Sequence, residues 1–272
     1  HGEYLDAVRG FYCALLEAHV PFDVISDKFI DAGRLERYRV LAMPNMACVD
    51  DVSAAAIEAF VAAGGSVVAT FDTGRCTREG GVRSEPVFSA MLGVSVCGRR
   101  KDLKSSYARI ENATDPLLTG IGDTDLIPND GALVEVQAAA GRVVPLTLIP
   151  PVIAHSGATI SIPEYSAIRA TTDVPVAVYG AHGKGRTVYF ANTIDALFYR
   201  YGFPALGRVL ANAVRSALDD AHNLETDAHE FVDIALRVQP RRQRVHVINV
   251  SVPKPLNNGW RSSGFSTEAH RC

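Results

Sequence analysis

The stretch GGSVVATFDTGRCTREG, residues 64 to 80, puts an aspartate, an arginine and a cysteine in the turn that follows a buried run. Loops after parallel strands are where α/β proteins place their active sites. Cys76 is therefore a candidate nucleophile, and Asp72 a candidate carboxylate for the same purpose. A cysteine without an adjacent base is only a few per cent thiolate at neutral pH, and the residues after Cys76, TREGG, do not start a helix that would expose it. Four further polar residues, Asn129, Asp130, Asn192 and Asp195, fall near predicted strand ends or in polar loops. Together with Asp72 and Arg75 they are the residues that could line a binding rim, or equally serve as loop caps and turn hydrogen bonds. GAHGKGR (180–186) invites a phosphate-loop reading, but it has no Ser or Thr after Lys184 and sits in a predicted hairpin rather than before a helix. The eight histidines show no HxH or HxxxH pair and no GxSxG occurs, so neither a metal site nor a hydrolase elbow is expected.

The elements that must position these residues are legible from periodicity. Residues 4–18 read as an amphipathic helix, with Val8, Phe11, Tyr12, Leu15 and Leu16 at helical spacing. VPFDVIS (20–26), YRVLAMP (38–44) and SVVAT (66–70) read as strands. Between the last two lies a helix with Asp50 or Asp51 as N-cap and Gly64-Gly65 at its C-terminal end. Apolar strands alternating with helices predict a doubly wound parallel sheet over residues 1–98. The middle differs: YARI, LVEV and VVPLTL are short β-type runs, and 175–191 reads as a hairpin around a Gly-rich turn. A helix over 203–218 carries the stripe Leu206, Val209, Leu210, Ala213, Val214 and Ala217. A polar linker, 221–230, precedes a hairpin at 231–252 with one wet face, the start of a small all-β domain, and an irregular tail at 253–272.

Composition is that of an ordinary globular protein, with 47% hydrophobic and 21% charged residues. The net charge of −3 gives no pull toward nucleic acid or anionic membrane. No apolar run approaches the roughly 20 residues that span a bilayer. Five scattered cysteines without CxxC spacing, and an N-terminus unlike a signal peptide, favour reduced thiols in the cytoplasm. The first residue is His, so the chain is expected to begin inside a longer protein or after a removed segment.

The segments AVRGFYCALLEAHVPFDVIS, ERYRVLAMPNMACVDDVSAAAIEAFVAAGGSVVATFDTG, DPLLTGIGDTDLIPNDG and HGKGRTVYFANTIDALFYRYGFPALGRVLANAVRSAL together resemble the trimerisation domain of family 42 β-galactosidases and related glycoside hydrolases. That resemblance implies a flavodoxin-like, class I glutamine amidotransferase-like domain over 1–220, with the first, central strand missing because the chain opens on the helix that should follow it. It also implies an upstream (β/α)8 barrel carrying two catalytic glutamates, a trimeric assembly and a carbohydrate ligand. Amidotransferases place their nucleophilic cysteine immediately after the third strand and pair it with a late His and Glu. Here Phe71 and Asp72 occupy that place, and the late segment YFANTIDALFY has neither partner. The expected function is a non-catalytic support for a barrel active site, without cofactor or metal. Its rim would be Asp72, Arg75, Asn129, Asp130, Asn192 and Asp195, and its interface centre Met43, Met46, Phe71, Phe198 and Tyr199. The alternatives are a stand-alone hydrolase of this fold, using Asp72 or Cys76, and a small-molecule sensor.

Overall fold

The computed structural model describes residues 2–101, 103–151, 171–218 and 224–249. In chain order it contains helix α1 (Gly2–Glu17), α2 (Ala32–Leu35), strand β1 (Val40–Met43), α3 (Asp51–Ala63), β2 (Ser66–Thr70), α4 (Ser89–Leu92), β3 (Val94–Arg100), β4 (Tyr107–Ile110), β5 (Leu126–Pro128), β6 (Leu133–Ala138), β7 (Val143–Ile149), β8 (Pro175–His182), β9 (Gly185–Phe190), α5 (Ile194–Tyr201), α6 (Pro204–Ala217), β10 (Val232–Gln239) and β11 (Arg242–Asn249). The tail expected at 253–272 and the last residues of the expected β domain lie outside the described residues.

Seven strands form one sheet in the order β1-β2-β9-β8-β7-β4-β5. β1, β2 and β9 run parallel, as a β-α-β connection through α3 requires. From β9 onward every pairing is antiparallel. The sheet is thus parallel only in its first three strands, because the connection from β8 to β9 is the two-residue turn Gly183-Lys184, too short for a crossover. β3 and β6 pair separately, with a bulge between Val96 and Gly98. All five residues of β2 are buried. Since successive side chains face opposite ways, both faces are covered; α3 packs on β2 and β9, and α6 on β1, β2 and β9.

The local sequence explains these elements. Asp50 caps α3 by accepting from the Ser53 N–H at 2.8 Å, and Gly64, at φ 121°, ends it with a backbone conformation that L side chains rarely adopt. The α6 stripe read from the sequence is buried throughout. In α1 the buried face is Ala7, Gly10, Phe11, Ala14 and Leu15, whereas Tyr12 stays exposed. Small residues take the inner positions because α5 approaches closely: a Cβ on Gly10 would lie 1.9 Å from the Asp195 carbonyl oxygen.

One expected strand does not form. Residues 20–26 carry no regular structure, although Val20, Phe22 and Ile25 pack partly against the core. An extended run becomes a strand only by pairing, and among the described residues the outer edge of β1 carries no neighbour. The C-terminal hairpin forms, but its expected dry face stays open. Val232, Ile234 and Leu236 stand opposite Asn249, Val247 and Val245, and Val245 and Val247 are more than half exposed.

Candidate functional site

The loops after β2, β5 and β9 bring the six sequence-predicted site residues to one region, in two tiers. The lower tier is buried. Asp195, fully buried in the first turn of α5, accepts from the Thr70 hydroxyl at 2.6 Å and from the Ala196 N–H at 2.8 Å. Thr70 in turn accepts from the backbone N–H of Asn45, which follows β1. Burial pushes the Asp195 carboxyl up to about 6, and the Thr70 and backbone hydrogen bonds only partly oppose it. Beside it, the Asn192 amide donates to Asn129 Oδ1 at 2.6 Å, and Asn129 donates to Ser106 Oγ at 3.3 Å. Asn129 and Asn192 are each 2% exposed, so in this chain they brace loops rather than face solvent.

The upper tier is only partly buried and is charged. Asp72 lies two residues beyond β2 and accepts from Arg75 Nη1 at 2.9 Å and Arg99 Nε at 2.8 Å. Two guanidiniums on one carboxylate leave an excess positive charge at this edge. Phe71, at φ 47°, makes the turn between β2 and Asp72; its carbonyl accepts from the Tyr189 hydroxyl at 2.6 Å. Burial, and secondarily the Asp72 charge, push the Tyr189 phenol upward, so it stays a protonated donor. Asp130, at the other side of the edge, accepts from the Tyr201 hydroxyl at 3.2 Å, and its Oδ1 is buried without a hydrogen-bond partner. Tyr201 and Phe203 stack at 5.8 Å, each more than 40% exposed.

The six residues therefore separate into Asn129, Asn192 and Asp195 below and Asp72, Arg75 and Asp130 above. Sequence reasoning missed Thr70, which ends an apolar run and looks like a strand residue, and Arg99, which lies on β3 and meets Asp72 only through the fold. The expected interface centre does not assemble. Met43 and Phe198 are core residues at 1% and 3% exposure, and Tyr201 with Phe203 supplies the exposed aromatic surface instead.

Cys76 does not stand in a strained elbow. It is held in an extended bridge between Cys48 and Val82, its N–H donating to Ala47 and its carbonyl accepting from Val49. The side chain it faces is the Cys48 thiol, not a base. GAHGKGR forms the β8–β9 turn, where Gly183, at φ 58°, lies against α3. Among the described residues, no group of three or more His, Cys, Asp or Glu is placed to hold a metal ion, and no helix is long and apolar enough to cross a membrane.

Comparison with known proteins agrees with this architecture. Residues 1–111 match the family model of the β-galactosidase trimerisation domain. No curated protein matches the chain. Among solved structures, the chain is similar to the β-galactosidase of Bacillus circulans sp. alkalophilus, at 21% identity and a TM-score of 0.68 over 90% of this chain and 31% of that one. It is similar also to α-L-fucosidase isoenzyme 2 of Paenibacillus thiaminolyticus, at 19% identity and a TM-score of 0.68 over 89% and 34%. A protein of Salmonella typhimurium described as cytoplasmic shares the fold at 14% identity, with a TM-score of 0.53 over 76% and 85%. At these identities the structural likenesses establish the fold alone. The chain spans about a third of the length of the two glycosidases. Residues 1–111, less than half of the chain, are thus similar to the β-galactosidase trimerisation domain, in a sheet consistent with a flavodoxin-like fold.

Proposed function

We propose that this chain is the assembly and active-site-supporting part of a β-galactosidase-like glycoside hydrolase. The observation that carries the reading is the match of residues 1–111 to the trimerisation domain. In this proposal the catalytic carboxylates belong to a (β/α)8 barrel elsewhere in the parent protein, following the two-carboxylate logic of glycoside hydrolysis. The parent protein is a cytoplasmic homotrimer, and residues 1–220 form the domain that assembles it.

The chemistry at the strand ends supports a supporting role. Asp195 is sealed in the interior, Asp72 is neutralised by two arginines, and Cys76 faces another thiol. None of these is a nucleophile paired with a base, which weighs against a stand-alone hydrolase. The upper tier is what an external partner can reach: the Arg75 and Arg99 guanidiniums around Asp72 and the stacked, exposed Tyr201–Phe203 pair. Carbohydrate is the proposed ligand at a rim shared with a barrel, since exposed aromatics beside hydrogen-bonding groups suit a sugar.

Sedimentation of the parent protein tests this. A trimer is expected, weakened together with hydrolysis by the charge reversals Asp72→Lys and Arg75→Glu while the barrel stays folded. Full hydrolysis by a monomeric parent protein would overturn the reading.

A further inference from the structure

The strand-end loops bring two cysteines into register. Cys48, in the loop after β1, and Cys76, in the loop after β2, are partners in a parallel β-bridge, 28 positions apart in sequence. The bridge is pinned on both sides of Cys48 by the Cys76 N–H to the Ala47 carbonyl at 2.8 Å and the Val49 N–H to the Cys76 carbonyl at 3.1 Å. Bridge partners lie about 4.8 Å apart across a sheet, within the roughly 4.4–6.8 Å that a disulfide spans between Cα atoms. Partners in a parallel bridge project their side chains to the same face of the sheet. Cys48 is exposed and Cys76 half-buried, so an oxidant has access from solvent. Neither sulfur is bonded, and Cys13 and Cys97 are the other free cysteines among the described residues.

We propose that Cys48 and Cys76 form a reversible disulfide that clamps the loop after β1 to the loop bearing Asp72 and Arg75. Hydrogen peroxide meets the exposed Cys48 sulfur first. Its O–O bond breaks, the sulfur becomes a sulfenic acid, and one water leaves. The Cys76 sulfur then displaces the hydroxyl from Cys48, the S–S bond forms, and the Cys76 proton leaves with that hydroxyl as a second water. A dithiol reverses the step by exchange, taking up the oxidation itself. Burial and the neighbouring sulfur push the Cys48 thiol upward, so the reaction quickens from pH 7 to pH 9 as the thiolate fraction rises.

The clamp also constrains function-bearing geometry. The loop after β2 is already stitched to the loop after β1 by the Gly74 N–H to the Met46 carbonyl and by the Met46 N–H to the Thr73 hydroxyl. A covalent link at Cys48–Cys76 adds a closure that those hydrogen bonds lack, between the N-cap of α3 and the Asp72 turn.

The test treats the folded chain with hydrogen peroxide, alkylates the remaining thiols and maps the tryptic peptides. Trypsin cuts after Arg39, Arg75 and Arg78, so the link joins residues 40–75 to residues 76–78. That linked pair is expected as the main product, reversed by dithiothreitol and absent in Cys48→Ser and Cys76→Ser, while Cys13 and Cys97 alkylate as before. In the oxidised chain the amides of Val49 and Cys76 should exchange hydrogen about tenfold more slowly. Separate alkylation or over-oxidation of Cys48 and Cys76 without the linked pair would overturn the disulfide. A linked pair with unchanged exchange would overturn the clamp.

Discussion

The two tiers at the strand ends are built from similar residue types and do opposite work. Below, a carboxylate, a threonine and two asparagines are closed off from water, and each stands within one hydrogen bond of another strand or helix. Above, a carboxylate and two arginines sit partly buried, with Asp72 at 13% and Arg75 at 32% side-chain exposure, and pair with each other. A buried polar group left unmatched costs about 1–3 kcal/mol, whereas an ion pair that water still reaches on its arginine side contributes closer to the roughly 0–1 kcal/mol of a surface pair. Stability therefore depends on the lower tier, which leaves the upper one free to be shaped by contact with another surface.

The sharpest way to break that separation is to pry the lower tier open. Gly10 lets α1 lie against the backbone of Asp195, and the obstacle to any side chain there is main chain, which cannot rotate aside. Gly10→Val should lower stability by more than about 3 kcal/mol, beyond the usual range for overpacking. Denaturant unfolding of the chain reads this directly. A loss under about 1 kcal/mol would mean that α1 shifts freely and does not hold Asp195 in place.

A second test uses pH. The Asp195 carboxyl, at about 6 when folded, lies above its usual 3.8, so the folded chain binds this proton more tightly than the unfolded chain. Its contribution is fully present below about pH 3.8 and is lost as pH rises through about 6. The gap corresponds to about 3 kcal/mol. Asp195→Asn should flatten the stability profile between pH 4 and 6. Thr70→Val, which removes the donor to Asp195 and strands the Asn45 N–H, should cost about 1–3 kcal/mol near neutral pH and move the titration upward. A profile for Asp195→Asn that superimposes on the native one would show that the carboxyl is solvated.

Most of the framework could be read from sequence because it follows local rules. Asp50 and Gly64 bound α3, and SVVAT is apolar on both faces because both are covered. Gly183 marks the β8–β9 turn, and the resemblance to the trimerisation domain rested on these same segments. What escaped depends on partners distant in sequence. VPFDVIS has the composition of a strand, but among the described residues no strand lies beside β1 to pair with it. Asn192 and Asp195 look like rim residues, since polarity alone does not tell a solvated loop from a sealed one. Cys76 suggested a nucleophile; its neighbour, Cys48, lies in the preceding loop and offers a thiol in place of a base. The alternation in residues 232–249 predicts a dry face correctly in pattern, yet two strands bury little between them.

The smallest expected effect on stability bears most directly on function. Arg75, one of two arginines on Asp72, is about a third exposed, so Arg75→Ala should cost the chain less than about 1 kcal/mol. Asp72→Ala should cost more, because it leaves Arg75 and Arg99 facing each other without the carboxylate between them. If the upper tier meets a partner, the order reverses in the assembled parent protein. There Arg75→Ala should weaken the trimer about tenfold, equivalent to about 1.4 kcal/mol, with a salt dependence that the chain's own unfolding lacks. Equilibrium sedimentation at two ionic strengths, beside denaturant unfolding of the same variants, separates these contributions. An Arg75→Ala chain that loses more than about 2 kcal/mol on its own, with assembly unchanged, would place the ion cluster with the buried tier, as internal bracing for the Asp72 turn.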